Sequence, residues 1–302
     1  MSKIKLGLDV GYSSTKVKYD GKLYKFPSAI SFATDLGIDY GEDDVVKYKD
    51  ETYYVGDAAV GLETFTTTDF GFKQQFDPVI IYHVLKKLNL VDNAINNGIQ
   101  LFLTLALADW KHKDTYLEVL SSFEVDNHQM EFKDITLLPQ GAGAYMQFVG
   151  KNGVHPGSAA IIDIGFNTIN FLVYENGQPK KAHSKGYSGH GVSSILRPFA
   201  TYLESTFNMP FGEAEALKIF TNGKFMFNGT EQSQVAEKVM DLKAQFVKKL
   251  FSSVLTGEKK ILATSEKVIL TGGGCYLLEG IPFPPNVTFT DKPYEFGNIS
   301  SL

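Results

Sequence analysis

The chain has 302 residues, 43% hydrophobic and 21% charged, a balance that allows two domains with cores of their own and excludes a disordered chain. A formal net charge of −5 gives no general basis for direct nucleic-acid binding, and the single cysteine, Cys275, excludes a disulfide framework or a zinc site built on several thiolates. The apolar run in MSKIKLGLDVG breaks at Asp9 and no later run is long enough to span a bilayer, so the expectation is a cytoplasmic protein with no membrane partner.

Residues 3–8 and 16–19 read as strands, and Asp20-Gly21 is a hairpin turn signal. The β pattern continues from Tyr24 to Ile30 through Pro27. A polar, acidic segment from Thr34 to Asp44 leads into VVKYKDETYYVG, a strand, turn and strand closed by Gly56-Asp57-Ala58-Ala59, and residues 31–65 together read as a small excursion from the first domain. Phe76 to Leu90 opens on Asp77-Pro78, a helix start, and sets Ile80, Ile81, Val84, Leu85 and Leu88 on one face. Ile99 to Leu107, apolar apart from Gln100 and Thr104, reads as a strand covered on both faces. A helix at Thr115 to Phe123 and strand material from Val125 to Leu138 follow, and then PQGAGA puts Gln140 at a strand end with small residues opening a helix.

Residues 159–178 repeat the start of the chain. With Asp163 set on Asp9, IIDIGFNT aligns with GLDVGYSST, and INFLVYENG lies opposite KVKYDG after a small length difference. Beyond this second hairpin come a Gly-rich turn at residues 189–191, a helix from about Val192, a second helix in MPFGEAEALKIF, and a long helix from Gln232 to Leu255. That last helix spaces Val235, Val239, Leu242, Phe246, Leu250 and Val254 by threes and fours. KVILTGGGCYLLEG reads as a buried strand, a glycine turn and a short helix, and Pro282 to Leu302 as irregular with one strand. Two similar halves of alternating strands and helices argue for an α/β protein of two related domains: residues 1–150, and residues 151–302 with a compact insertion at about 192–260.

Each hairpin turn carries one carboxylate and backbone free to approach an anion. Gly11 and Gly165 have no Cβ, and Ser13, Ser14, Asn167 and Thr168 add donors, so each turn reads as a phosphate cradle. A single Asp-x-Gly turn is common and reads equally as an ordinary hairpin; the matched pair favours a polyphosphate held between two halves with a divalent ion. The six histidines show no metal-ligand spacing.

Four signals then fall in order: DVGYSSTK at 9–16, PQGAGA at 139–144, DIGFNT at 163–168 and LTGGG at 270–274. This order resembles the actin, sugar-kinase and heat-shock-chaperone ATPase superfamily, whose fold is a pair of ribonuclease H-like domains around a nucleotide cleft. YKFPSAIS, YYVGDAA, LPQGAGAY and VILTGGG are most similar to the bacterial and archaeal actin-like proteins of the ParM/StbA plasmid-segregation type. The resemblance implies ATP or ADP with Mg²⁺ in the cleft, a homopolymeric filament whose turnover follows ATP hydrolysis, and plasmid DNA reached through a DNA-binding adaptor. It implies that Asp9 and Asp163 hold the metal through water, that Lys16 neutralises phosphate charge, and that Gln140 positions the attacking water while Asp163 helps polarise it. Tyr12, Phe166 and Gly191 join the phosphate turns, and Gly272, Gly273 and Gly274 let adenosine lie on backbone. Glu213 is a candidate ribose contact or, with Glu215 and Lys218, simply the polar side of a helix; Lys16 likewise has a reading as a solvated strand lysine. A small-molecule kinase, a chaperone ATPase and a non-polymerising nucleotide switch remain alternatives on the same fold. A kinase needs an acidic base and a substrate pocket, and a chaperone needs a peptide-binding domain after the last motif.

Overall fold

The structure, a computed structural model, describes residues 3–33, 41–60, 62 and 70–302. Much of the acidic segment and the end of the 31–65 excursion lie outside the described residues.

The first half opens with strands β1 (Ile4–Val10), β2 (Ser14–Tyr19) and β3 (Lys22–Pro27), with Asp20 and Gly21 both at positive φ in the two-residue turn. Strands β4 (Ile30–Phe32), β5 (Val45–Tyr48) and β6 (Glu51–Val55) form a separate small sheet in the order β4-β6-β5. Helices α1 (Phe70–Lys87) and α2 (Val91–Ile95) lead to β7 (Ile99–Leu105), a short helical turn at Leu107–His112 and α3 (Lys113–Ser121). The hairpin β8 (Ser122–Val125) and β9 (His128–Glu131) precedes β10 (Ile135–Pro139) and α4 (Ala142–Asn152). The main sheet has the order β10-β7-β1-β2-β3, antiparallel through the hairpin and parallel from β1 to β10.

The second half repeats that plan. Strands β11 (Ser158–Ile164) and β12 (Thr168–Glu175) form the hairpin, and β13 (Gln178–Pro179) and β14 (Lys185–Ser188) both pair with the outer edge of β12. Helices α5 (Ser193–Phe207) and α6 (Glu213–Asn222), the hairpin β15 (Met226–Phe227) and β16 (Thr230–Glu231), α7 (Ser233–Lys249) and α8 (Lys259–Thr264) precede β17 (Lys267–Thr271) and β18 (Val287–Phe289). Strands β11, β17 and β18 run parallel, so β1, β2, β7 and β10 have counterparts in β11, β12, β17 and β18. The repeat read from two turns is thus a repeat of whole sheets. It holds to the residue, since Asp9 stands opposite Lys16 and Asp163 opposite Asn170.

The apolar run of β11 is explained by cover on both faces. Ala160, Ile162 and Ile164 point into a core with Leu196, Phe199 and Leu203 of α5 and Val239, Leu242 and Phe246 of α7. Ala159 and Ile161 pack instead with Ala142, Ala144 and Tyr145 of α4, and the Tyr145 ring stacks on Tyr174 at 3.9 Å between centroids. The helix that follows the first sheet in sequence is therefore packed in space on the second.

Helix α1 differs from expectation. It begins at Phe70, two turns before Asp77-Pro78, and runs through the proline. Asp77 is buried inside it, paired one turn back with Lys73 at 2.8 Å and accepting from the Tyr116 hydroxyl of α3, so a tertiary partner overrides a local start signal. The long helix near the C-terminal end finishes in a wide turn over Leu250–Val254.

The halves meet where the Leu107–His112 turn presses on β14. A Cβ built on Gly186 would lie 2.2 Å from the Ala108 backbone nitrogen, so neither backbone can give way without moving a domain. Gly186→Ala is expected to lower the unfolding free energy by about 1–3 kcal/mol in urea titrations. Gly257→Ala, which has open space around it, should change it by less than about 0.5 kcal/mol.

Candidate functional site

Strands β1 and β11 each place an aspartate one residue before their C-terminal end, and the chain then turns back at once. The turns close in the same way, with Gly11 N donating to Ser14 O at 3.2 Å and Gly165 N to Thr168 O at 2.8 Å. The two turns face one cavity. It is lined by Asp9, Gly11, Tyr12, Lys16, Gln140, Asp163, Gly165, Phe166, Asn167, Thr168, Gly272 and Gly273, together with Lys73, Asp109, Glu295 and Asn298.

Both aspartates are almost wholly buried, and a web of amides joins them. Asp9 Oδ1 accepts from Thr104 Oγ1 at 2.5 Å and from Gln140 Nε2 at 2.8 Å, while Lys16 Nζ stands 3.8 Å from Oδ2. Asp163 Oδ2 accepts from Asn170 Nδ2 at 3.3 Å and from Asn298 Nδ2 at 3.2 Å. Asn298 Nδ2 also lies 3.4 Å from Asp9 Oδ2, and its Oδ1 takes the Gly141 N–H at 2.6 Å. Asn170 Nδ2 reaches Gln140 Oε1 at 3.1 Å, and Asn170 Oδ1 accepts from Leu107 N at 2.8 Å. Gln140 is thus held at both ends, by Asp9 of one half and Asn170 of the other.

The two carboxylates differ in charge affinity for a physical reason. Burial pushes Asp9 up, but Lys16 and the bonds from Thr104, Gln140 and Asn298 outweigh it and hold the group below the usual carboxylate range. Asp163 is pushed up to about 6 by burial and by the charge of Asp9, against the bonds from Asn298 and Asn170 and the more distant Lys16.

Several expected residues are not among those that line the cavity. Ser13 accepts the Ser28 N–H through its carbonyl, and Ser14 closes the first turn through its own carbonyl. Gly191 packs against the second turn, where a Cβ would lie 2.4 Å from Phe166 O, and Gly274 packs against Ile164. Glu213 opens α6, 3.9 Å from Arg197 Nε of α5, and its buried Oε1 has no hydrogen-bond partner among the described residues. Thr104, Asn170, Asn298, Lys73 and Asp109 escaped the sequence reading. Only Asn170 carried a signal, since it follows Asp163 by the same seven positions that separate Lys16 from Asp9.

This donor set fits an anionic ligand accompanied by a metal. A Cβ on Gly11 would lie 2.9 Å from both Lys16 Nζ and Ser14 O, so the glycine keeps the space beside the lysine open. Among the described residues no group of three or more His, Cys, Asp or Glu could hold an ion alone. Asp9 and Asp163 are the two carboxylates that would hold a hard cation here, and such a cation would supply charge neutralisation.

Two tests follow from this geometry. Because the Asp163 value is raised on folding, its contribution is fully present below pH about 4 and is lost as pH rises through about 6. Asp163→Asn should therefore stabilise the apo protein at neutral pH by up to roughly 3 kcal/mol and flatten the pH dependence of the unfolding midpoint in that window. Gly272 has φ +88, and a Cβ there would fall 2.4 Å from Asp163 Oδ1. Gly272→Ala should destabilise by about 2–4 kcal/mol in the same titration, and a neutral result would contradict the packing.

Residues 7–143 match the N-terminal domain of the actin-like proteins, and residues 161–280 match the C-terminal domain of the archaeal MreB-like actin homologue. No curated protein sequence matches the chain significantly. Among solved structures, a ParM from Clostridium botulinum in a 15-stranded filament is 22% identical over 100% of this chain and 98% of that chain, with a TM-score of 0.81. An archaeal actin homologue in complex with ADP is 18% identical over 99% of this chain and 97% of that chain, with a TM-score of 0.71. Bacillus thuringiensis ParM with ATP is 15% identical over 100% and 97%, with a TM-score of 0.68. With both domain matches in chain order and the duplicated sheets closing on one cleft, the chain belongs to the actin-like proteins.

Proposed function

We propose that this chain binds ATP with Mg²⁺ in the cleft, hydrolyses it slowly, and assembles in its ATP-bound form into a homopolymeric filament that hydrolysis weakens. Plasmid DNA is the cargo this reading favours, reached through a DNA-binding adaptor in the cytoplasm. The observation that carries the reading is the amide web between Asp9 and Asp163, which joins two glycine turns from opposite halves around one cavity. The filament of the Clostridium botulinum ParM and the nucleotide complexes of the other two structures support assembly and nucleotide use in proteins of this fold.

Each residue then has a physical task. Gly11 and Gly165 bring backbone close to phosphate oxygens, and Lys16 offsets their charge. Gln140 orients water by hydrogen bonding, yet both ends of its amide are already engaged. One N–H and one lone pair of that amide stay open for a water, but their direction is set by Asp9 and Asn170, and those lie on opposite halves. Hydrolysis is therefore coupled to the relative setting of the halves, as an assembly-gated ATPase requires. The ribose falls to the turn before α5 and the first turns of α5 and α6, where His190 Nδ1, Ser194 Oγ and Glu213 Oε1 are buried without hydrogen-bond partners among the described residues and gain them from a ligand.

One observation favours a second reading. Asp109 lines the cavity, and burial raises its carboxyl above the usual range, with Lys73 and the Tyr12 hydroxyl acting the other way. A carboxylate so placed suits a general base for transfer of phosphate to an acceptor hydroxyl.

High-speed pelleting with Mg²⁺ and ATP, with ADP, or with no nucleotide, reading phosphate release in the same tubes, separates the two. Pelleting with ATP that reverses as phosphate appears is the expected result. A monomer that transfers phosphate to added polyols without pelleting would establish the second reading. Gln140→Ala should slow turnover by at least about tenfold while nucleotide affinity stays within about twofold, and equal loss of both would reduce Gln140 to a domain brace.

A further inference from the structure

Lys73, in the first turn of α1, is a buried cation that the reading above does not use. Its Nζ donates to Val10 O at 2.6 Å and pairs with Asp77 Oδ2 at 2.8 Å. It lies 5.6 Å from the centre of the Tyr12 ring and 5.8 Å from that of Tyr116, whose hydroxyl donates to Asp77. An ammonium has three donors, and two have acceptors here; the third has no acceptor among the described residues.

A pair buried only to brace α1 would be a poor device, because desolvating two charges offsets most of what their attraction returns. Lys73 also lines the same cavity as Asp9, Lys16 and Gln140. A buried cation with a spare donor, on the wall of a cavity that contains a phosphate turn, is built for an anion. Its contact with Val10 O ties it to the first residue before that turn, so the anion it meets is held by the turn as well.

Helix α1 also reaches the small sheet. Phe76 meets the Tyr53 ring at 5.6 Å, and His83 and Lys87 bond to Asp44 at 2.9 and 2.8 Å. One rigid helix thus has its first turn at the cleft and its last turns under β5 and β6.

We propose that Lys73 is a second phosphate-reading cation, selective for the terminal phosphate of a nucleoside triphosphate, and that α1 carries its engagement to the small sheet. This rests on the nucleotide reading of the cleft. Lys16, opposite Asp9 in the turn's own hairpin, serves phosphates common to ATP and ADP. Lys73, from a separate element, distinguishes them.

Calorimetric titration with Mg²⁺ and either ADP or a non-hydrolysable ATP analogue tests this on the full chain. The variants are Lys73→Met and the double variant Lys73→Met with Asp77→Asn, which leaves no buried unpaired charge and keeps an acceptor for Tyr116. Both should lose analogue affinity by about tenfold or more while ADP affinity changes by less than about threefold, the size expected when one charge-assisted contact is removed. Amide exchange in β4–β6 should slow with the analogue in wild type and not in the variants. Equal losses for both nucleotides would mean that Lys73 acts only through the Val10 turn and would overturn the proposal, as would no loss for either. A wild-type protein that binds neither nucleotide would defeat the cleft reading itself, a result separate from unselective loss in a protein that binds both.

Discussion

Two carboxylates buried on the adjoining ends of two strands are a constraint that the rest of the site answers. Neither Asp9 nor Asp163 reaches bulk water, and each raises the cost of ionising the other. One cation, Lys16, stands near Asp9, while Asp163 has amide donors and, among the described residues, no lysine in contact. That asymmetry makes Asp9 the fixed charge and Asp163 the adjustable one. A metal ion brought in with phosphates would supply positive charge beside both carboxylates.

The duplicated hairpin shows how one local pattern was put to two uses. Position seven after the aspartate faces it across the ladder in both halves, and it is Lys16 in one and Asn170 in the other. A lysine there can neutralise an anion. An asparagine can both donate and accept, and Asn170 uses this to hold Asp163, Gln140 and the Leu107 N–H at once. The first hairpin is therefore suited to charge and the second to relaying position between halves, although both have the same backbone.

The features legible in the sequence were those carried by neighbours along the chain. The Asp-x-Gly turns, the Asp20-Gly21 hairpin, the spacing from Val235 to Leu250 and the glycine run after β17 each declare their geometry within a few residues. Asn298 declares nothing locally: it sits in an irregular stretch, and its partners lie 135 and 289 positions away. Thr104 and Lys73 were hidden in the same way, one inside an apolar strand and one in a segment read as lying before α1. Helix α1 itself misled because Asp77-Pro78 is a sound local start signal, and only the distant partners, Tyr116 for Asp77 and Val10 for Lys73, show why the helix continues back through it. Pattern fixes turns and faces, whereas a polar residue drawn into a core is placed by tertiary partners that no window contains.

The C-terminal segment completes the logic of the cleft. Asn298 inserts one amide between both aspartates and the start of α4, and Gly143 lets its backbone approach so closely that any Cβ would overlap it. On either side the segment grips the first sheet, with Glu295 bonded to Lys25 at 3.0 Å and Ser300 O accepting from Lys18 at 2.5 Å. It leaves the second sheet at β18 and finishes against β1 and β2, so a rotation of the halves cannot leave Asn298 equidistant from Asp9 and Asp163. Any such motion alters the hydrogen bonds of the adjustable carboxylate and of Gln140 together. The hydrogen bonds of Gln140 and the charge on Asp163 therefore respond together to one variable, the angle between the two halves.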